Sequence, residues 1–184
     1  EIVVTGLRKE SNLQDTAITI TAITSEDLDT KQLENFEDLQ FAVPTLTFAK
    51  GAYSGSGISL RGIGNFAVGN SSSSSIGYFW NGQVASQSGL YEAEFFDVER
   101  VEVLRGPQGT LFGSGTSGGA VQLITKRPGA EFGGNVKVDL ADYDSTRING
   151  AVDIPMSDNL RSRFAFASLK RGGFVTNNYD GKTL

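Results

Sequence analysis

The stretch VEVLRGPQGTLFGSGTSGGAVQLITK, residues 101–126, decides how this chain is read. A β-patterned run carrying Val101, Val103 and Leu104 stops at Arg105-Gly106-Pro107. A loop dense in glycine follows, with Gly109, Gly113, Gly115, Gly118 and Gly119, and a second β-patterned run occupies residues 120–125. Glycine is selected where the backbone takes φ > 0 or passes close to another surface. So many glycines between two strands predict a sheet folded tightly in a confined space. Residues 113–118 also fit the dinucleotide pattern G-x-G-x-x-G. That pattern needs a following helix to present amide groups to a pyrophosphate. Residues 120–125 alternate like a strand instead, so no nucleotide site is expected.

The same block resembles the end of the plug domain of TonB-dependent outer-membrane receptors. Those plugs carry E-R-[VI]-E-[VI]-[LI]-[RK]-G-P, then a Gly-rich L-[FY]-G stretch, then G-G-[AV]-[VI]-N-[IL]-[IV]-T-K. Here Glu99 to Pro107, Leu111-Phe112-Gly113 and Gly118-Gly119-Ala120-Val121 fit, with Gln122 where the family has Asn, followed by Leu123-Ile124-Thr125-Lys126.

Composition narrows the alternatives. The 184 residues suit one domain plus a fragment, or one large domain. There is no cysteine, so neither disulfides nor thiolate metal sites form, and there is no histidine. That removes imidazole ligation and the commonest general base, which weakens a hydrolase reading. Neither a metal site nor a cofactor is expected. A formal charge of −5 argues against nucleic acid as a partner. No apolar run approaches the roughly 20 residues of a spanning helix. Alternating β-barrel strands never build such a run, so a barrel stays open. No charged-then-apolar leader opens the chain, so any signal peptide is expected to be absent from it.

Glu1-Ile2-Val3-Val4-Thr5-Gly6 opens with β-branched residues. Such a segment can add itself to the edge of a partner sheet, with the main chain supplying affinity and alternate side chains supplying choice. It can equally be the first strand of the domain. It resembles the family's TonB box, which implies a TonB-like energy-transducing partner.

Residues 9–16 read as a polar linker and residues 17–23 as a strand around Ile18, Ile20 and Ala22. Thr24 precedes Asp27 by three, a helix start, with Leu28 as its first buried contact. Asn35 caps a second short helix with Phe36, Leu39 and Phe41 on one face, ended by Pro44. Residues 51–57 read as a Gly/Ser loop. Residues 58–62 read as a strand ending in Arg61-Gly62, and residues 63–75, with five consecutive serines, as an exposed loop. A strand over 76–80 leads into Asn81-Gly82, a hairpin turn whose two central residues need φ > 0.

After Pro128 the pattern changes. Val136, Val138 and Leu140 alternate with Lys137, Asp139 and Ala141. Ile148, Val152 and Ile154 alternate with Asn149, Ala151 and Asp153. Phe164 and Phe166 alternate with Arg163 and Ala165, in register with Arg161. Three strands of about nine residues, apolar on one face only, are the pattern of a transmembrane barrel. A soluble three-stranded meander is the alternative. Three strands close no barrel, so the chain is expected to be the front end of a larger receptor.

The predicted fold class is therefore an α+β plug, residues 1–130 with the TonB-box-like segment at 1–6, followed by the start of an antiparallel transmembrane β-barrel, residues 131–184. The resemblance implies 22 strands in the whole protein. It gives Gly62, Gly106, Pro107, Gly109, Gly113, Gly118 and Gly119 as plug-motif positions. It gives Arg61 and Arg105 as plug–barrel locks meeting wall glutamates, a role suited to the bidentate guanidinium. Among the aromatics, Phe66 and Tyr91 are the candidates to touch a ligand.

The function implied is import of a scarce nutrient across the outer membrane of a Gram-negative bacterium, with the N-terminus periplasmic. The expected partners are an extracellular small-molecule ligand, first an iron–siderophore complex, and outer-membrane lipid. Cobalamin, haem or an oligosaccharide is the alternative cargo. A non-transporting structural or adhesion protein, a signalling receptor and a soluble nucleotide enzyme are the competing classes.

Overall fold

The computed structural model describes residues 3–6, 9, 11–15, 18–51, 55–64, 75–85, 92–157, 159–173 and 179. The expectations placed on Glu1, Ile2, Phe66, Tyr91 and most of the serine run lie outside the described residues. The chain separates into two compact units, Glu1–Thr125 and Lys126–Leu184.

In the first unit, β1 (Val3–Val4) pairs with β2 (Ser11–Asn12), and a single 3-10 turn, Leu13–Asp15, follows. The stretch expected to be a polar linker therefore gives β1 its ladder partner. β3 (Ile20–Thr24) runs into α1 (Ser25–Thr30). The strand starts later than its alternation suggested, because pairing begins only at Ile20. Thr24 and Asp27 bond each other's main chain in a capping box, and Leu28 is buried. α2 (Phe36–Ala42) has the same device in Asn35 and Asp38. Each box satisfies helix-end donors that have no intrahelical partner. Phe36 and Leu39 are buried as expected, but Phe41 is 80 % exposed. The helix ends at the next residue, so Phe41 has no continuing face to join.

β4 (Leu46–Gly51) and β5 (Gly55–Leu60) form a hairpin with Gly51 opposite Gly55. Of the Gly/Ser loop expected over 51–57, the described residues, 51 and 55–57, are strand; a main-chain ladder needs no side-chain bulk, and Ser56 donates to Glu92 Oε1 at 2.7 Å. β5 stops at Leu60. Arg61 and Gly62, at φ 54° and 78°, form the turn to β6 (Ile63–Gly64), so Arg61 sits in a turn and not at a strand end.

β7 (Ile76–Trp80) turns through Asn81-Gly82, at φ 49° and 80°, into β8 (Gln83–Val84). β9 (Val98–Arg105) and β10 (Gly119–Thr125) flank the Gly-rich loop. That loop contains an unforeseen helical turn, α3 (Gly109–Phe112), whose Phe112 meets the Phe79 ring at 4.8 Å between centroids. The central sheet has the order β3-β9-β10-β7-β8, with β10 antiparallel to β9 and parallel to β7.

Both faces of this sheet are covered, so its strands are apolar almost throughout. One face turns Ile23, Val101, Val103, Val121, Leu123 and Tyr78 onto Phe36, Leu39, Leu46 and Leu60. Phe36 meets Tyr78 and Phe95 edge-on, at 4.8 and 5.1 Å. The other face gathers Leu104, Ala120, Phe79 and Phe112, with Ile18 and Ile20 packed against them.

The second unit is a meander of β11 (Gly133–Ala141), β12 (Ser145–Ser157) and β13 (Leu160–Lys170). The register aligns Val138 with Ile148, and Val152 with Phe164, on one face. Asp139 with Arg147, and Asp153 with Arg163, share the other. The apolar face is open: Val138 is 56 % and Phe166 53 % exposed. Phe166 stands opposite Gly150, and a Cβ built on that glycine would lie 2.6 Å from the ring. On the polar face Asp153 accepts from the Gly129 N–H at 3.1 Å and from Arg163 Nη1 at 2.7 Å.

Candidate functional site

The N-terminal segment is seated on the second face of the central sheet. Val4 is fully buried. Gly6 lies so close to Ile20 that an added Cβ would stand 2.5 Å from Ile20 Cδ1 and 3.2 Å from Leu104 Cδ2. Between them, Thr5 donates its backbone N–H to Glu102 Oε1 at 2.8 Å and its hydroxyl to the same oxygen at 3.1 Å. Arg100 Nε donates to that oxygen at 2.8 Å, and Gln122 Nε2 donates to Thr5 Oγ1 at 2.8 Å. Arg100 also pairs with Glu99.

Strand geometry builds this cluster. Side chains two apart share a face, so Glu102 falls on the face of Leu104 and opposite to Val101 and Val103. Gln122 is the cross-strand partner of Glu102 on β10, and Ala22 is its partner on β3. Alanine there leaves the carboxylate open towards the N-terminal segment. Glu102 is 0 % exposed and its Oε2 accepts nothing among the described residues. A buried carboxylate is sustained only by partners such as these.

Sequence reading singled out Val3, Val4, Thr5 and Gly6 but missed Arg100, Glu102 and Gln122. The available signal was a charged residue inside a strand buried on both faces, and Gln122 at a position where the resembled family has Asn.

The two arginines form a second feature. Gly118 and Gly119 have no room for side chains: a Cβ on Gly118 would sit 2.7 Å from Ile63 Cγ2, and one on Gly119 2.8 Å from Leu60 Cδ1. Leu60 and Ile63 flank the Arg61-Gly62 turn, while Gly119 is the cross-strand partner of Arg105. The glycine pair thereby brings the Arg61 turn against the end of β9 that carries Arg105. Arg61 is exposed, with its backbone N–H on the Thr45 carbonyl at 2.8 Å. Arg105 donates Nη2 to Thr21 Oγ1 at 2.8 Å, and its buried Nε has no partner among the described residues.

The remaining motif positions divide by cause. Gly62, Gly106 and Gly113 take φ of 78°, 95° and 81° in open space, so conformation selects glycine there. Gly109 has neither a positive φ nor a close neighbour, and nothing in the structure explains it. Pro107 follows the Gly106 bend, where β9 has ended. No group of three or more His, Cys, Asp or Glu among the described residues is arranged to hold a metal ion.

The profile of the TonB-dependent Receptor Plug Domain family matches residues 12–120. The ferripyoverdine receptor of Pseudomonas aeruginosa is 29 % identical over 187 residues, spanning 98 % of this chain and 22 % of the receptor. The ferric enterobactin receptor of the same organism is 36 % identical over 99 residues, 50 % of this chain and 13 % of the receptor. The chain thus matches 22 % and 13 % of these two relatives' length.

Among solved structures, the ferric yersiniabactin uptake receptor of Yersinia pestis superposes with a TM-score of 0.78 at 24 % identity, covering 90 % of this chain and 26 % of that one. The outer-membrane ferripyoverdine receptor of P. aeruginosa bound to ferripyoverdine gives 0.75 at 24 %, covering 95 % and 23 %. At that identity the likeness establishes the fold: a plug and the first part of a barrel, as in TonB-dependent receptors. With the family profile covering most of the first unit, this chain belongs to the TonB-dependent receptor plug domain family.

Proposed function

We propose that the chain is the front portion of an energy-coupled outer-membrane importer of a ferric siderophore or a similar iron complex. The observation that carries this reading is the pairing, in one chain, of a plug-family sheet with a meander that is apolar on one open face and polar on the other. In this reading the first unit corks a barrel whose opening strands are β11 to β13. Lipid covers Val138, Phe164 and Phe166, and 22 strands complete the wall.

The cargo follows from the relatives named for ferripyoverdine and ferric enterobactin. Ligand binds on the extracellular side, with Phe66 and Tyr91 among its contacts. A TonB-like protein captures residues 1–6 in the periplasm by strand addition. Arg61 and Arg105 lock the plug to carboxylates on later barrel strands. The buried Nε of Arg105, without a partner among the described residues, supports this, since such a donor is costly to leave unpaired. No bond in the cargo is broken, so the activity is transport and not catalysis. Ligand signals only by favouring the state in which residues 1–6 are exposed.

The test is uptake of radiolabelled iron, carried by pyoverdine or enterobactin, in cells whose only receptor is the full-length protein. Import should stop when the proton gradient is collapsed, while surface binding persists. Import that continues without the gradient would overturn the reading.

A further inference from the structure

We infer that Arg100, Glu102 and Gln122 form an intramolecular binding site for Thr5, and that its occupancy sets how often the N-terminal segment is free for a partner strand. This deepens the reading above and rests on residues 1–6 being the partner's target.

The seated segment is not ready for strand addition. Its short ladder is engaged by β2, with Val3 opposite Asn12 and Val4 opposite Ser11. Val4 is buried, and Gly6 is pressed onto Ile20 and Leu104. What holds the segment is small in area and directional in chemistry. One two-residue strand and one buried valine supply little apolar stabilisation. Thr5 supplies two donors to a single carboxylate oxygen, and its hydroxyl oxygen accepts from Gln122 Nε2 and, at 3.5 Å, from Arg100 Nη2. Hydrogen bonds to a charged group are the stronger kind.

Release has a defined consequence. Glu102 Oε1 keeps only Arg100 Nε, Gln122 Nε2 loses its acceptor, and Oε2 already lacks a partner among the described residues. The seat therefore favours the docked segment by the penalty of leaving a buried carboxylate and amide short of partners. It also discriminates between side chains. Serine retains both roles of the Thr5 hydroxyl, and valine keeps the shape but removes them.

The experiment uses the full-length receptor in liposomes, with a nitroxide on Val3→Cys to report whether the segment is seated. Otherwise unaltered protein and Thr5→Ser should give mainly the immobile signal. Thr5→Val and Glu102→Gln should each raise the mobile-to-immobile ratio by about tenfold or more. The double variant should fall short of the sum of the two single free-energy effects, because both act on the bond between the Thr5 hydroxyl and Glu102. Thr5→Val alters nothing in β9, so it answers even if Glu102→Gln misfolds.

A label as immobile in Thr5→Val as in the parent overturns the seat, and so do single effects that simply add. Binding of a TonB C-terminal domain separates the two readings. Tighter binding to Thr5→Val supports both. A mobile label with unchanged partner binding keeps the seat and removes residues 1–6 as the target.

Discussion

Gly119 lies so close to Leu104 that a Cβ built on it would stand 2.4 Å from the Leu104 carbonyl oxygen. Its φ of 146° adds a second bar to any side chain. Gly119→Ala should therefore destabilise the plug by about 2–4 kcal/mol. Faster amide exchange along β9 and β10 in the full-length receptor is the expected readout, and it should extend to the Arg61 turn.

The Arg100–Glu102 pair is buried, with side chains 10 % and 0 % exposed. Removing one partner of such a pair leaves an uncompensated charge. Arg100→Met should cost about 3–5 kcal/mol in denaturant unfolding of the plug. Arg100→Met combined with Glu102→Leu should recover much of that loss, since two apolar groups leave no buried charge.

The two capping boxes give smaller, separable effects. Thr24→Ala and Asn35→Ala should each destabilise the plug by about 1 kcal/mol. Serine at position 24 should retain most of the stability. The sites share no cap residue, so the double variant should lose close to the sum in the same unfolding measurement.

Asp27 titrates below its ordinary value of 3.8, first through the Lys31 hydrogen bond, then through its bonds with Thr24. Lys31 Nζ reaches Asp27 Oδ1 at 2.8 Å. A lowered folded pKa means the stabilisation is present above the unfolded value and disappears as pH falls through the folded one. Both groups are well exposed, so the effect on stability is slight. Lys31→Met should raise the Asp27 pKa towards 3.8, as a carboxyl-carbon NMR titration would show. An unmoved titration would refute the assigned cause.

Local signals carried much of this fold in the sequence. The Asn81-Gly82 turn, the caps at Thr24 and Asn35, and the alternation of Val136, Val138 and Leu140 each follow from chemistry within a few residues. Pairing was harder to foresee. β2 has no strand pattern of its own and exists because β1 needs a ladder partner. β4 and β5 run through glycine and serine because their hairpin is held by main-chain bonds. Phe41 looked like a core residue by spacing, but α2 ends one residue later.

The candidate site was half legible. Residues 1–6 stood out as β-branched and Arg61 and Arg105 by resemblance. The Thr5–Glu102 bond spans 97 positions, and no local pattern announces it.

Deletion of residues 1–6 from the full-length receptor tests the central claim most directly, with binding and uptake of ferric siderophore followed on the same cells. The expected result is binding at the parental level and no accumulation of iron inside. Accumulation at the parental rate would contradict the account.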